Sequence, residues 1–381
     1  MDENFQEYGH KLVTWYRQNR RDLPWRRTCD VYAIWVSETM LQQTRVETVI
    51  PYYLRFLSAF PGVADLAKAS EEQVLKHWQG LGYYRRAKNL HLAAKQVCQE
   101  WGGDFPKTRD GWLQLAGVGD YTAGAVLSIA MGQPEPAIDG NVLRVMSRLL
   151  CIREPVRNTN VVRRIRKLLE YWLTNDVPSD VTQSIMELGA IVCTPRSPQC
   201  LLCPLAEGCR AKREGCAAEL PVKVAKAARK KMLVSALWLE HAGQLLIEQR
   251  PEEGLLGGMW QLPSLSEERT EDGGSELPSA LRLAESLMER LVAGSLLADE
   301  ISESPQPYLV PVATEKHVFT HLEWEVHVCR PVGLALEKLF GQSQKRMERM
   351  IWVPLEDWDK YAWPRVYEKI LEKLLSERVN I

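Results

Sequence analysis

No run of about 18 consecutive apolar residues occurs in this 381-residue chain, so no membrane-spanning helix is expected. The opening, MDENFQEYGHK, is polar and acidic; it reads as no secretory leader and predicts a cytoplasmic chain. Disulfides are therefore not expected either. Nine cysteines in a reducing compartment point instead to metal wherever they cluster. Net charge is almost absent, with 48 Lys+Arg against 49 Asp+Glu, which speaks at first against a nucleic-acid partner. Divided at residue 225, however, the front part holds 29 basic and 24 acidic residues and the rest 19 and 25. A mildly basic front half is compatible with DNA, because placement of charge matters more than its sum.

Alternation of period two is also missing up to about residue 192, and no internal repeat stands out. Residues 1–216 therefore read as an all-α domain. Apolar residues at helical spacing predict a helix over 5–19 and another over Tyr32–Val49, with a further helix beginning at or near Pro51. Helices follow over 141–151, 158–174 and 180–192, the last with Asp180 as its N-cap. Residues 217–231, AAELPVKVAKAARKK, read as a basic linker. From 232 to 381 the pattern becomes α+β. MLVSALWLEHAGQLLIEQR reads as a β-hairpin turning at His241-Ala242-Gly243, and residues 264–280 as a mobile loop. A helix over 281–293, strands over 308–314 and 323–330, and a last helix over 364–378 complete the domain.

The rest of the chain is organised around LAGVGDYTAGAVLSIAMGQPEPAIDGN, Leu115 to Asn141. Gly117-Val118-Gly119 is a tight turn between two helical segments, with Leu113, Ala116 and Val118 expected on its inner side. Small residues after it leave the N–H groups of the second helix open, and such an end favours phosphate oxygens. Helix, Gly-x-Gly turn, helix is the pattern of a helix-hairpin-helix clamp on a DNA backbone. Asp139 lies where a held strand could pass, though as a bare spacing it reads equally as an N-cap. Cys193, Cys200, Cys203 and Cys209 (C-x6-C-x2-C-x5-C within seventeen residues) suit a [4Fe–4S] cluster in the loop 193–209. Zinc is the alternative, although zinc sites more often carry two C-x2-C pairs. Cys151 and Cys216, outside this spacing, read as core or surface thiols.

In this order the hairpin, AIDGNV and the four cysteines resemble the helix-hairpin-helix base-excision glycosylases with an iron–sulfur loop, the group of endonuclease III and MutY. Where the lyases of that group place a nucleophilic lysine, this chain has Tyr121. A phenol forms no Schiff base, so the resemblance implies a monofunctional enzyme. With Glu38 in WVSETMLQQTRVETV, the chain is similar to the MutY branch, adenine glycosylases acting on adenine opposite 8-oxoguanine or guanine in double-stranded DNA. The resemblance implies base flipping, hydrolysis of the N-glycosidic bond and a nucleoid-associated monomer in a bacterial cytosol, without membrane partners.

The reaction needs two carboxylates in different protonation states. Glu38, among Trp35, Val36 and Met40, fits the acid, because burial would raise its pKa. The resemblance makes it the proton donor to adenine N7, makes Asp139 the stabiliser of the sugar cation, and gives Tyr121 and Asn141 the task of holding both. It places Trp25, Arg26 and Gln183 around the adenine. Gln43 and Tyr83 fall at its intercalating positions, with Gln42, Thr44 and Leu81 facing the opposite base. Arg85, Arg86 and Lys88 read as phosphate contacts or a solvated face.

The second domain resembles a Nudix fold, but LPSALRLAESLMERL lacks the paired glutamates that would bind magnesium. Phe319-Thr320-His321 stands where the MutY branch reads 8-oxoguanine with Phe-Ser-His. Three rivals remain: a non-catalytic iron–sulfur DNA-binding protein, a nucleotide hydrolase run by the second domain, and a thymine-type glycosylase, which Tyr121 disfavours.

Overall fold

A computed structural model describes residues 3–222, 229–269, 276–293, 307–319, 321–334, 336 and 349–379. The chain folds as two compact units, residues 1–70 with 86–225, and residues 71–85 with 226–381.

All regular structure among the described residues of the first unit is helical. In chain order the helices are α1 (Glu3–Asn19), α2 (Val31–Leu41), α3 (Val46–Ala59), α4 (Val63–Lys68), α5 (Glu71–Trp78, in the second unit), α6 (Arg85–Glu100), α7 (Arg109–Gln114), α8 (Asp120–Ile129), α9 (Gly140–Leu150), α10 (Thr159–Asn175), α11 (Pro178–Ile191) and α12 (Arg210–Arg213). Helix α11 packs against α1, α8 and α9, and α2 packs against α8. One core joins Leu12 and Val13 to Met146, Leu149, Ile165, Trp172, Ile185 and Leu188. Helix α2 is buried almost all round, from Tyr32 to Met40. A helix apolar on every face belongs inside a domain, so the polar Ser37, Glu38 and Thr39 must find partners there.

Several expectations need correction. The helix over Tyr32–Val49 breaks at Gln42–Arg45, and α3 then runs straight through Pro51. The cause lies outside the segment. Arg86 donates through Nη1 to the carbonyls of Thr39 (2.9 Å), Met40 (2.8 Å) and Gln42 (2.5 Å), and through Nη2 to Thr44 Oγ1 (3.0 Å). A guanidinium thus satisfies carbonyls that a continuing helix would have bonded, and Gln43 takes a left-handed φ of 60°. Arg86 is accordingly a structural cap within the protein and not a freely solvated side chain. Asp180 lies in the first turn of α11, paired with Arg17, while Val177 is the N-cap ahead of Pro178.

In the second unit, β1 (Lys230–Leu237), β5 (Ser264–Glu268), β6 (Tyr308–Val318) and β7 (Leu322–Val332) form one sheet in the order β5-β1-β7-β6, with β1 and β7 parallel. The other sheet comprises β2 (Glu240–His241), β3 (Gln244–Gln249), β4 (Trp260–Gln261) and β8 (Met350–Pro354). Helices α13 (Glu276–Ala293) and α14 (Arg365–Val379) complete it. The hairpin at His241-Ala242-Gly243 is present, its turn held by φ of 49° and 76°, but only β2 pairs with β3 there. Strand β1 leaves for the other sheet because its run of buried residues needs neighbours on both sides. Part of the expected loop 264–280 is regular: Ser264–Glu268 is an edge strand, which tolerates polar residues, and 276–280 belong to α13, while 270–275 lie outside the described residues.

Candidate active site

Helix α2 carries Glu38 into the first unit's interior, where the residue is 6% exposed. Helix α8 brings Tyr121, whose hydroxyl donates to Glu38 Oε2 at 2.5 Å. Burial pushes the Glu38 carboxyl up to about 7; the Tyr121 bond pulls it down, and the charge of Asp139 pushes it up again. Burial, with both carboxylates nearby, lifts the Tyr121 phenol well above its ordinary value. Tyr121 therefore stays a donor, and Glu38 exchanges its proton near neutrality.

Asp139 is indeed the N-cap of α9: its Oδ1 accepts from Val142 N at 2.7 Å. Its other oxygen accepts from Asn141 Nδ2 at 2.8 Å. Burial raises this carboxyl's pKa, opposed by the Val142 and Asn141 bonds. Capping and a chemical role are not exclusive, since each oxygen has further lone-pair capacity. Asn141 in turn accepts from Arg144 Nη2 at 2.7 Å, and the same guanidinium reaches the carbonyls of Gly189 (2.8 Å) and Cys193 (2.8 Å). Gly189 has no room to be anything else, because a Cβ there would fall 2.6 Å from Asn141 Cβ.

Arg26 is bound to a residue that no sequence motif marked. Glu187, 1% exposed, accepts from Arg26 Nη1 (3.0 Å) and Nη2 (2.8 Å) and from Arg21 Nε (2.9 Å) and Nη2 (2.8 Å). Burial pushes Glu187 up, but these bonds together outweigh it and hold the carboxyl at about 2. Gln183 lies one turn earlier on α11 and donates to Ser179 Oγ; that i,i+4 spacing was the available signal for Glu187. The Arg26 charge reaches Glu38 and lowers its pKa. Trp25 is buried edge-on against Tyr53.

Gln42 donates to Thr122 Oγ1 at 3.0 Å, Thr44 is clamped by Arg86, and Gln43 is exposed. Leu81 and Tyr83 belong to the second unit, Leu81 buried and Tyr83 exposed with φ 52°. At the hairpin, Gly117 has φ 72° and a Cβ there would meet Asn89 at 2.5 Å. Gly119 caps α8 without a side chain and has open space above it, as an anion-binding helix end requires. Leu113, expected inside, is 39% exposed; Trp112 and Leu115 fill the core instead. Phe319 packs edge-on against Trp324, His321 is exposed, and Thr320 lies outside the described residues.

Cys193, Cys200, Cys203 and Cys209 line one cavity. Among the described residues, the group of three ligand atoms lying within 4.8 Å of one another is elsewhere, at Cys151, Glu214 and Cys216. No three of the four sulfurs therefore lie within 4.8 Å of one another, whereas one zinc ion with bonds of about 2.3 Å would draw all four to roughly 3.8 Å. Such spacing fits a four-iron cube held by four thiolates, which cross-links the loop when bound. Arg148 braces the loop from α9, donating to the carbonyls of Thr194 (2.7 Å) and Pro195 (3.1 Å) and to Cys193 Sγ (3.3 Å).

Residues 36–171 match the HhH-GPD superfamily of base excision DNA repair proteins, 193–209 the iron-sulfur binding domain of endonuclease III, and 234–373 the NUDIX domain. The chain is 35% identical to the adenine DNA glycosylase of Homo sapiens over 86% of its own length and 66% of that protein's. For the Rattus norvegicus enzyme the figures are 34%, 87% and 70%. It thus spans about two thirds of these curated relatives. Among solved structures, a thermostable thymine-DNA glycosylase aligns at a TM-score of 0.51 and 28% identity, over 55% of this chain and 98% of its own.

Proposed function

Because this chain belongs to the adenine DNA glycosylase family, we propose that it excises adenine mispaired with 8-oxoguanine or guanine in duplex DNA, as a monofunctional, monomeric base-excision enzyme. The observation that carries this reading is the Glu38–Tyr121 pair beside Asp139: a buried acid poised near 7, with a phenol where a lyase would need an amine.

In the chemical step, the C1′–N9 bond breaks with its electron pair passing to adenine, whose N7 takes the Glu38 proton. Asp139, ionised, faces the cationic sugar. Water then adds to C1′ and returns its proton to the Glu38 carboxylate. Tyr121 and Asn141 hold the two carboxylates at fixed angles, and Glu187 holds the Arg26 guanidinium in place to line the base pocket with Trp25 and Gln183. In the first unit Gln43, with Gln42 and Thr44 as its chain neighbours, and in the second unit Tyr83, with Leu81, would each act on the DNA stack, while Gly117, Val118 and Gly119 grip a phosphate. Phe319, Thr320 and His321 would read the 8-oxo group. The second unit's own hydrolase reading stays disfavoured, since the exposed Glu285 and Glu289 of α13 are not adjacent in sequence.

Structural likeness to a thymine-DNA glycosylase makes thymine release the competing outcome. Single-turnover assays on duplexes with A or T opposite 8-oxoguanine or guanine decide between them, with and without alkali, for wild type, Glu38→Gln and Asp139→Asn. Adenine release alone, strand breaks only after alkali, and loss in both variants are expected. Thymine release, or binding without release, would overturn the proposal.

A further inference from the structure

Beyond the cluster loop, Cys151, Glu214 and Cys216 converge at the far end of α9. Cys151 is the residue that ends the helix, in a left-handed conformation with φ 52° and ψ 50°, a position more often given to Gly or Asn. Glu214 ends α12, and Cys216 N donates to Ala211 O at 3.0 Å. The Cys151 and Cys216 sulfurs are 3.5 Å apart, and Cys151 Sγ lies 3.2 Å from Glu214 Oε2. None of the three lines the cavity of the four cluster cysteines.

We infer that Cys151, Cys216 and Glu214 form a second metal site, for a thiophilic divalent cation such as zinc. Two sulfurs bound to one zinc ion stand about 3.8 Å apart, close to what is found here. No three of the cluster's four sulfurs lie within 4.8 Å of one another. Two thiolates and a carboxylate are a borderline-soft set that suits zinc and not magnesium or calcium, which take oxygen shells. Cys216 is buried, Cys151 partly buried and Glu214 exposed, so the ion has a path from solvent and water completes a tetrahedron. On binding, the two S–H bonds break, two metal–sulfur bonds form, and both protons leave to solvent. Arg153 Nη2, 3.2 Å from Glu214 Oε2, holds that carboxylate against the protein and limits its freedom before metal arrives. A disulfide would explain the two sulfurs but not the approach of Glu214 Oε2 to Cys151 Sγ.

The test uses the iron-loaded full chain, incubated with zinc chloride and desalted, with zinc and iron counted by elemental mass spectrometry. Wild type is expected to retain about one zinc per chain beyond its iron, and Cys151→Ser/Cys216→Ser none, at equal iron content. Glu214→Gln changes only an exposed residue and carries the decision if the double variant loses its iron. It is expected to weaken zinc at least tenfold. Cobalt(II) added in place of zinc should give sulfur-to-cobalt charge-transfer bands in wild type and none in Cys151→Ser/Cys216→Ser. Equal zinc in all three proteins, no retained zinc in wild type, or a metal-free wild type two hydrogens lighter (the Cys151–Cys216 disulfide) would each overturn the site.

Discussion

At the scale of single residues, the site works through protonation states set by position. In the proposed reaction Glu38 must carry a proton to give one, and its carboxyl is raised to about 7. Single-turnover excision is therefore expected to fall above about pH 7, by about tenfold per pH unit. Tyr121 lowers that pKa through its hydrogen bond, so Tyr121→Phe should move the descending limb to higher pH while slowing the plateau. A limb that stays put would dissociate Tyr121 from the acid. The same proposal needs Asp139 ionised, and Asn141 is one of the groups that oppose the rise of its pKa by burial. Asn141→Ala should accordingly shift the acidic limb of the same profile upward. Glu187 adds a stability term of the opposite kind. Its depressed carboxyl stabilises the fold above its ordinary value near 4.5, and that contribution disappears as pH falls towards about 2. Removing its charge with Glu187→Gln leaves two arginines facing each other, and should cost about 3–5 kcal/mol, read as a lower melting temperature at neutral pH. A melting temperature equal to wild type would show that the pair carries no such load.

At the scale of elements, local pattern and distant contact separate cleanly. The hairpin turn, the four-cysteine loop and the Asp139 cap are short-range devices, and each stood in the sequence because neighbouring residues alone decide it. The break between α2 and α3 did not. Leu41 to Val49 has no strong breaker, and the instruction comes from Arg86, more than forty residues on, through the carbonyls it collects. Glu187 stayed hidden for the same reason, as its partners Arg21 and Arg26 lie far away in the chain. The β1 exchange into a second sheet likewise depends on β7, some ninety residues later. Substituting Arg86→Met keeps the aliphatic stem and deletes the cap. We expect a loss of about 2–3 kcal/mol and faster tryptic cleavage after Arg45, with Gln43 released from its left-handed geometry. Unchanged melting and cleavage would return the helix break to its own sequence.

At the scale of the whole molecule, two units with separate cores share one chain. Iron removal by chelation under reducing conditions should expose the amides of α9 and of residues 193–222 to hydrogen exchange, because Arg144 and Arg148 then brace a loop with nothing inside it. Protection in the strands of residues 230–268 and 308–332 should be unaffected. Equal loss in both units would mean that they unfold together.

Eleven residues of α9 connect Asp139 at one end to Cys151 at the other, with the iron loop pinned midway by Arg144 and Arg148. The consequence is one of supply. Because the helix holding Asp139 is steadied by the same loop that needs iron, a chain made under metal scarcity is expected to release base more slowly in the single-turnover assay than one with its cluster.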